Sequence, residues 1–207
     1  MIHALEALER LKEGNRRFVS EVQSSQAVST ERRRLELTAG QEPFAIILGC
    51  SDSRVPAEMV FDQGLGDLFV IRVAGNIVAP SQIGSVEFAA ERFHTRLVVV
   101  LGHSQCGAII ATLDELRRPR ENQSVNLRSI VDRVRPAVEP LLPRGLSYAT
   151  MVDDATRANV RISADHLRHG SEVLERLIQH QGLLVVGAEY SLETGEVDFF
   201  DGMPDGA

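Results

Sequence analysis

The chain has 207 residues, of which 43% are hydrophobic and 25% charged, and its formal net charge is -7. That length is enough for one domain with a full core, while the acidic balance excludes the basic face that a nucleic acid or an anionic membrane would require. No apolar run approaches the roughly 20 residues of a membrane-spanning helix, and Glu6, Glu9, Arg10, Lys12 and Glu13 interrupt any signal-peptide core, so a cytoplasmic location is expected.

Residues 4–20 read as a helix, with Leu5, Leu8, Leu11 and Phe18 on related faces. Ser20 to Ser29 is a polar connector; Ser29 and Thr30 are placed to cap a second helix that Gly40 ends. Residues 1 to about 40 thus form an N-terminal helical arm, expected to pack on a partner subunit because an amphipathic helix gains most from burial. Phe44 to Leu48 is a first buried strand, followed by a polar turn, a short helix from Pro56 to Phe61 and a break at Gly64 to Asp67. Leu68 to Arg72 is a second strand. Ser81 is the expected cap of a helix through Phe93, and Leu97 to Leu101 is a third strand. Another helix starts at Gly107. Leu127, Ile130, Val131, Val134 and Val138 recur at helical spacing, with Pro136 expected to kink or stop that helix. Two further helices, Val152 to Arg168 and Glu172 to Gln181, are divided by Gly170. Leu183 to Val186 is a fourth strand, and Thr194-Gly195 turns the chain into a last one, Val197 to Phe200.

Near-continuous apolar strands alternating with helices define an α/β class. The expectation is a single domain over residues 1–207. Its central sheet is mostly parallel, with four parallel strands plus an antiparallel C-terminal edge strand, and is flanked by helices.

Two of these strands run into reactive side chains. The first ends in Gly49-Cys50-Ser51-Asp52-Ser53-Arg54 and the third in Gly102-His103-Ser104-Gln105-Cys106-Gly107. Sites in open α/β sheets form outside the carboxyl ends of strands where the order reverses. Cys50 and Cys106 are the chain's two cysteines, and a reducing cytosol disfavours a structural disulfide between them. Thiolates and imidazole suit zinc. Three protein ligands, here Cys50, His103 and Cys106, leave a fourth position open, as in catalytic rather than structural sites. An H-x-x-C spacing alone is common; joined to C-x-D-x-R at a neighbouring strand end it becomes specific.

These two segments resemble the signature motifs of β-class carbonic anhydrases. Phe69 to Arg72, Ala74-Gly75-Asn76 and the stretch Gly187 to Gly195 are similar to further family segments. The resemblance implies zinc-dependent, reversible hydration of CO2 to bicarbonate and a proton by zinc-bound hydroxide. It implies that Asp52 orients that hydroxide, that Arg54 holds Asp52, and that Asp52 can become a fourth ligand in an inactive state. It places Gln41, Phe69 and Phe88 in the CO2 pocket, partly across a subunit boundary of a homodimer or homotetramer, and Gly107 N–H on a bicarbonate oxygen. Of a regulatory bicarbonate site found in one branch, Arg72 and Tyr190 match, but Ile47 stands where that branch has tryptophan. COS or CS2 hydrolysis on the same scaffold stays open, as does a non-catalytic zinc- or bicarbonate-binding module. A dithiol switch is the weakest reading, since the cysteines lack a C-x-x-C spacing. The remaining histidines read as solvated helix residues, and His94 as a proton relay only if the fold brings it near the metal.

Overall fold

The computed structural model describes residues 2–22, 31–118 and 124–204. Its strands are β1 (Ala45–Gly49), β2 (Leu68–Arg72), β3 (Leu97–His103), β4 (Leu184–Tyr190) and β5 (Val197–Asp201). They form one sheet in the order β2-β1-β3-β4-β5. β1 runs parallel to β2 and β3, β3 runs parallel to β4, and β5 is antiparallel to β4. Every residue of β1 and β3 is buried, as continuous apolar strands covered on both faces must be. The expected architecture is therefore found. β3 and β4 are longer than their apolar runs because the pairs Gly102↔Glu189 and His103↔Tyr190 continue the ladder through glycine and polar residues.

The helices are α1 (Ala4–Val19), α2 (Glu31–Glu36), α3 (Ala57–Val60), α4 (Pro80–Arg92), α5 (Gly107–Arg117), α6 (Val125–Val138), α7 (Tyr148–His169) and α8 (Glu172–Gln181). Three boundaries differ from expectation. α4 starts at Pro80 behind Ala79, not at a Ser81 cap, because proline's fixed φ and missing N–H suit the first helical position. Pro136 does not stop α6, which runs two residues further and passes into a 3-10 stretch, Glu139–Arg144. α7 begins early, at Tyr148, where the Ser147 hydroxyl accepts the Thr150 N–H. The Ser29/Thr30 cap and most of the connector before it lie outside the described residues.

Each face of the sheet has its own core. Ile47, Leu97, Val99 and Val186 pack with α1 and α3, through Leu8, Leu11, Val60 and Phe61. Ile46, Leu48, Val98, Val100 and Val185 pack with α4, α7 and α8. A third cluster surrounds Cys50 and Cys106, with Ile109, Leu113, Val134, Val138, Met151 and Val152. The helix expected to reach a partner thus lies on its own chain. Leu8 and Leu11 are fully buried there, and Asn15 Nδ2 donates to the carbonyls of Val60 and Gly195 at 3.1 and 2.8 Å. Among the described residues, no helix is long and apolar enough to cross a membrane.

α7 crosses the sheet so closely that β3 needs a glycine. A Cβ on Gly102 would lie 2.5 Å from Val160 Cγ2. Gly102→Ala should therefore cost about 1–3 kcal/mol by overpacking. Urea denaturation should show that loss, and should show it reduced in a Val160→Ala background.

Candidate metal centre

β2 lies on one side of β1 and β3 on the other, so the crevice above the β1–β3 pair is the switch point of the sheet. Cys50 directly follows β1, His103 ends β3, and Cys106 caps the start of α5. Their ligand atoms all lie within 4.8 Å of one another, and all three residues are buried. The two sulfurs are 4.0 Å apart, twice the length of a disulfide bond, and both thiols are free.

The turn between the last two ligands is built to present both. Gln105 adopts φ 55, a left-handed conformation that costs a side-chain-bearing residue about 1–2 kcal/mol; it reverses the chain so that Cys106 faces His103. Ser104 anchors this turn. Its N–H donates to the Tyr190 carbonyl at 3.0 Å, and its hydroxyl accepts the Leu192 N–H at 2.9 Å. The Ser104 carbonyl lies 2.9 Å from His103 Nδ1. Donation to it fixes the tautomer that leaves a lone pair on Nε2. Nε2 is buried without a hydrogen-bond partner, the condition of a ligand atom lacking its ion.

The two thiols share one environment and titrate as a pair. The Cys106 thiol, helped by His103 and the Gly75 N–H, holds Cys50 well below an ordinary thiol against the opposing cost of burial. Cys106 is pushed up in turn by Cys50 and by burial. For His103, burial disfavours the imidazolium, but the Cys50 sulfur outweighs it and raises the pKa. A pocket that stabilises negative sulfur and a nearby positive charge is one that a cation would complete.

Beside the trio stands Asp52. Arg54 Nε and Nη2 donate to Oδ1 and Oδ2 at 3.0 and 2.8 Å, and the Arg54 N–H adds a bond to Oδ1 at 3.0 Å. These contacts hold the carboxyl well below the usual carboxylate range. Oδ2 is also 3.8 Å from His103 Nε2. The exposed Arg54 and half-buried Asp52 therefore form the rim of the crevice, with the carboxylate turned to the arginine.

The comparisons with known proteins fit this geometry. A family model for carbonic anhydrase matches residues 45–197, which include all three candidate ligands. Carbonic anhydrase 2 of Mycobacterium tuberculosis is 40% identical over 191 residues, covering 91% of this chain and 89% of that protein. The crystal structure of a β-carbonic anhydrase from Aspergillus fumigatus superposes with a TM-score of 0.75 at 26% identity, covering 97% of this chain and 91% of that one. The chain belongs to the β-carbonic anhydrase family. The carbonic anhydrase of Mycolicibacterium smegmatis is similar at 39% identity, with 93% of this chain and 91% of that protein covered.

Not every residue singled out in this carbonic anhydrase meets the trio within one chain. Gly107 does: it is the first residue of α5, next to Cys106. A Cβ there would touch nothing within 4 Å, and its φ is ordinary, so neither packing nor backbone conformation requires glycine. Gln41 does not. It precedes β1 and lines a cavity with Arg10, His94 and Arg96, at the amino end of the sheet and a whole strand away from Cys50. His94 shares that position. Phe69 pairs with Ile46 in the same amino half. It clusters with Phe88 and Phe93 at centroid distances of 6.2 and 6.0 Å, and Phe88 is 53% exposed.

Arg72 has a role that its sequence position hides. Its Nε donates to the Cys50 carbonyl at 3.1 Å and its Nη2 to the Asp52 carbonyl at 2.6 Å, so it clamps the loop that carries a ligand. Tyr190 is buried on β4, with two strands between it and Arg72, and Ile47 is fully buried inside the sheet. The regulatory trio suggested by resemblance is therefore not assembled. Arg72→Leu should lose about 1.5–3 kcal/mol for bonds from a charged donor, and should speed hydrogen exchange through residues 50–53. Unchanged exchange there would show that the clamp is not holding the loop.

Proposed function

We propose that the chain is a zinc enzyme that hydrates CO2 reversibly to bicarbonate and a proton. The observation that carries this reading is the buried trio of Cys50, His103 and Cys106 with its unpartnered Nε2. Two Zn–S bonds of about 2.3 Å at a tetrahedral angle put the sulfurs about 3.8 Å apart, close to the 4.0 Å seen here. Two thiolates and a neutral imidazole also balance the charge of a divalent zinc ion in a buried place. When bound, zinc supplies a Lewis acid that makes water reactive at neutral pH.

The chain's own groups then orient the reactants. An ionised carboxylate only accepts hydrogen bonds, and Arg54 keeps Asp52 ionised. Asp52 therefore holds the attacking water by its proton and leaves an oxygen lone pair towards the CO2 carbon. Arg54 fixes the carboxylate through two parallel bonds, a geometry specific to guanidinium. The first N–H groups of α5 at Gly107 favour the negative charge that grows on the substrate oxygens, and the missing side chain keeps that approach clear. We read Gln41, Phe69 and Phe88 as the wall of a second copy's pocket, because one chain cannot carry Gln41 to its own trio. This supports a homodimer or a larger homo-oligomer, which sedimentation should detect.

Stopped-flow CO2 hydration tests the proposal. The chain should carry one zinc, lose turnover on chelation and regain it with zinc, and both thiols should become alkylatable only after chelation. Full turnover without metal, or turnover of CS2 but not CO2, would overturn the reading. Asp52→Asn should keep the zinc yet slow hydration roughly 100-fold, the scale of losing one oriented electrostatic contact.

A further inference from the structure

Asn159 sits in the middle of α7, only 1% exposed. A buried amide is costly unless it is bonded, and asparagine is a poor helix former. Its Nδ2 does not bond to its own helix. It donates instead to the Gly75 carbonyl at 2.7 Å, across 84 residues of sequence.

Gly75 is the residue whose other backbone group serves the metal centre. Its N–H donates to Cys50 Sγ at 3.3 Å. Its backbone is left-handed, with φ 71 and ψ 22, and a Cβ would come 2.9 Å from Ala108 Cβ. Only glycine fits this short turn between the Cys50 loop, α5 and α7. Glycine also leaves the turn free to rotate, so its aim must be set from outside. The described contacts to Gly75 supply one such anchor, the Asn159 amide.

We propose that Asn159 is a positioning residue of the metal centre. By holding the Gly75 carbonyl it aims the Gly75 N–H at Cys50 Sγ. That bond fixes the direction in which the sulfur presents its lone pairs, so that they meet the ion without reorganisation. The inference rests on Cys50 being a metal ligand. It adds a contact that neither ligand spacing nor the catalytic carboxylate implies.

The test uses the full chain loaded with cobalt, whose thiolate charge-transfer band reports the Co–S bond. Asn159→Leu, which keeps the branch at Cγ but has no donor, should shift that band and weaken metal affinity about 10–100-fold, the usual loss when a ligand's supporting hydrogen bond is removed. Thr156→Val is the control. Thr156 is equally buried on the same helix, but its hydroxyl bonds only the Val152 carbonyl of its own helix, so band and affinity should stay as in the parent. If Asn159→Leu does not fold, Asn159→Ser, too short to reach Gly75, is read in the same way. A parent-like band and affinity in a folded Asn159 variant overturn the inference. A parent chain with no thiolate–cobalt band overturns the reading of Cys50 as a ligand, and the inference with it.

Discussion

The parallel pairing of β1 with β3 is the constraint on which the rest depends. It sets Gly49 opposite Leu101, so the residues just beyond each strand end emerge side by side. Cys50 and His103 are 53 positions apart in the chain and become neighbours only through that ladder. A slip of one residue would turn one strand's side chains to the wrong face. Close packing prevents this, because the two faces of each strand fit different sets of helix side chains. The core is therefore what holds the candidate metal ligands in register.

Around that ladder, polar groups are spent on holding loops rather than on paired surface charges. Arg72 uses its guanidinium on two carbonyls of the Cys50 loop. Ser104 ties the His103 turn to β4 and the segment after it. The Gly75 N–H bonds the Cys50 sulfur, and Asn159 holds the Gly75 carbonyl. Two of the three candidate ligands, Cys50 and His103, thus have separate supports. This matters because a binding geometry loosened by an ångström loses much of its value.

The elements legible in the sequence were those with a local signal. Apolar runs marked all five strands, helical spacing marked the long helices, and two short motifs marked the residues that the fold gathers, Cys50, His103 and Cys106, with Asp52 and Arg54 beside them. Long-range hydrogen bonds left no such mark. Nothing near Arg72 in the chain reveals that it clamps a loop 20 residues earlier, and Asn159 looks like any polar residue on a helix. Pro136 does not stop α6, since a proline removes one backbone bond without unpairing the two residues beyond it, and Ser81 misled because a proline just before it made a better start. The stripe of leucines on α1 does not name the surface it covers, which includes the β1 and α3 side chains of its own chain. Gln41 is the instructive case: family likeness assigns it to a pocket that the single chain places at the far end of the sheet.

Asn15 joins the two ends of the chain. Its side chain binds the Gly195 carbonyl and accepts the Val197 N–H, 182 positions away. During synthesis the first helix leaves the ribosome on the order of ten seconds or more before that partner exists. Its leucines bury against earlier side chains such as Ile47, Val60 and Phe61, so it is the Asn15 bonds that wait for the hairpin of β4 and β5. Contacts of such long range close late in folding and make that step slow.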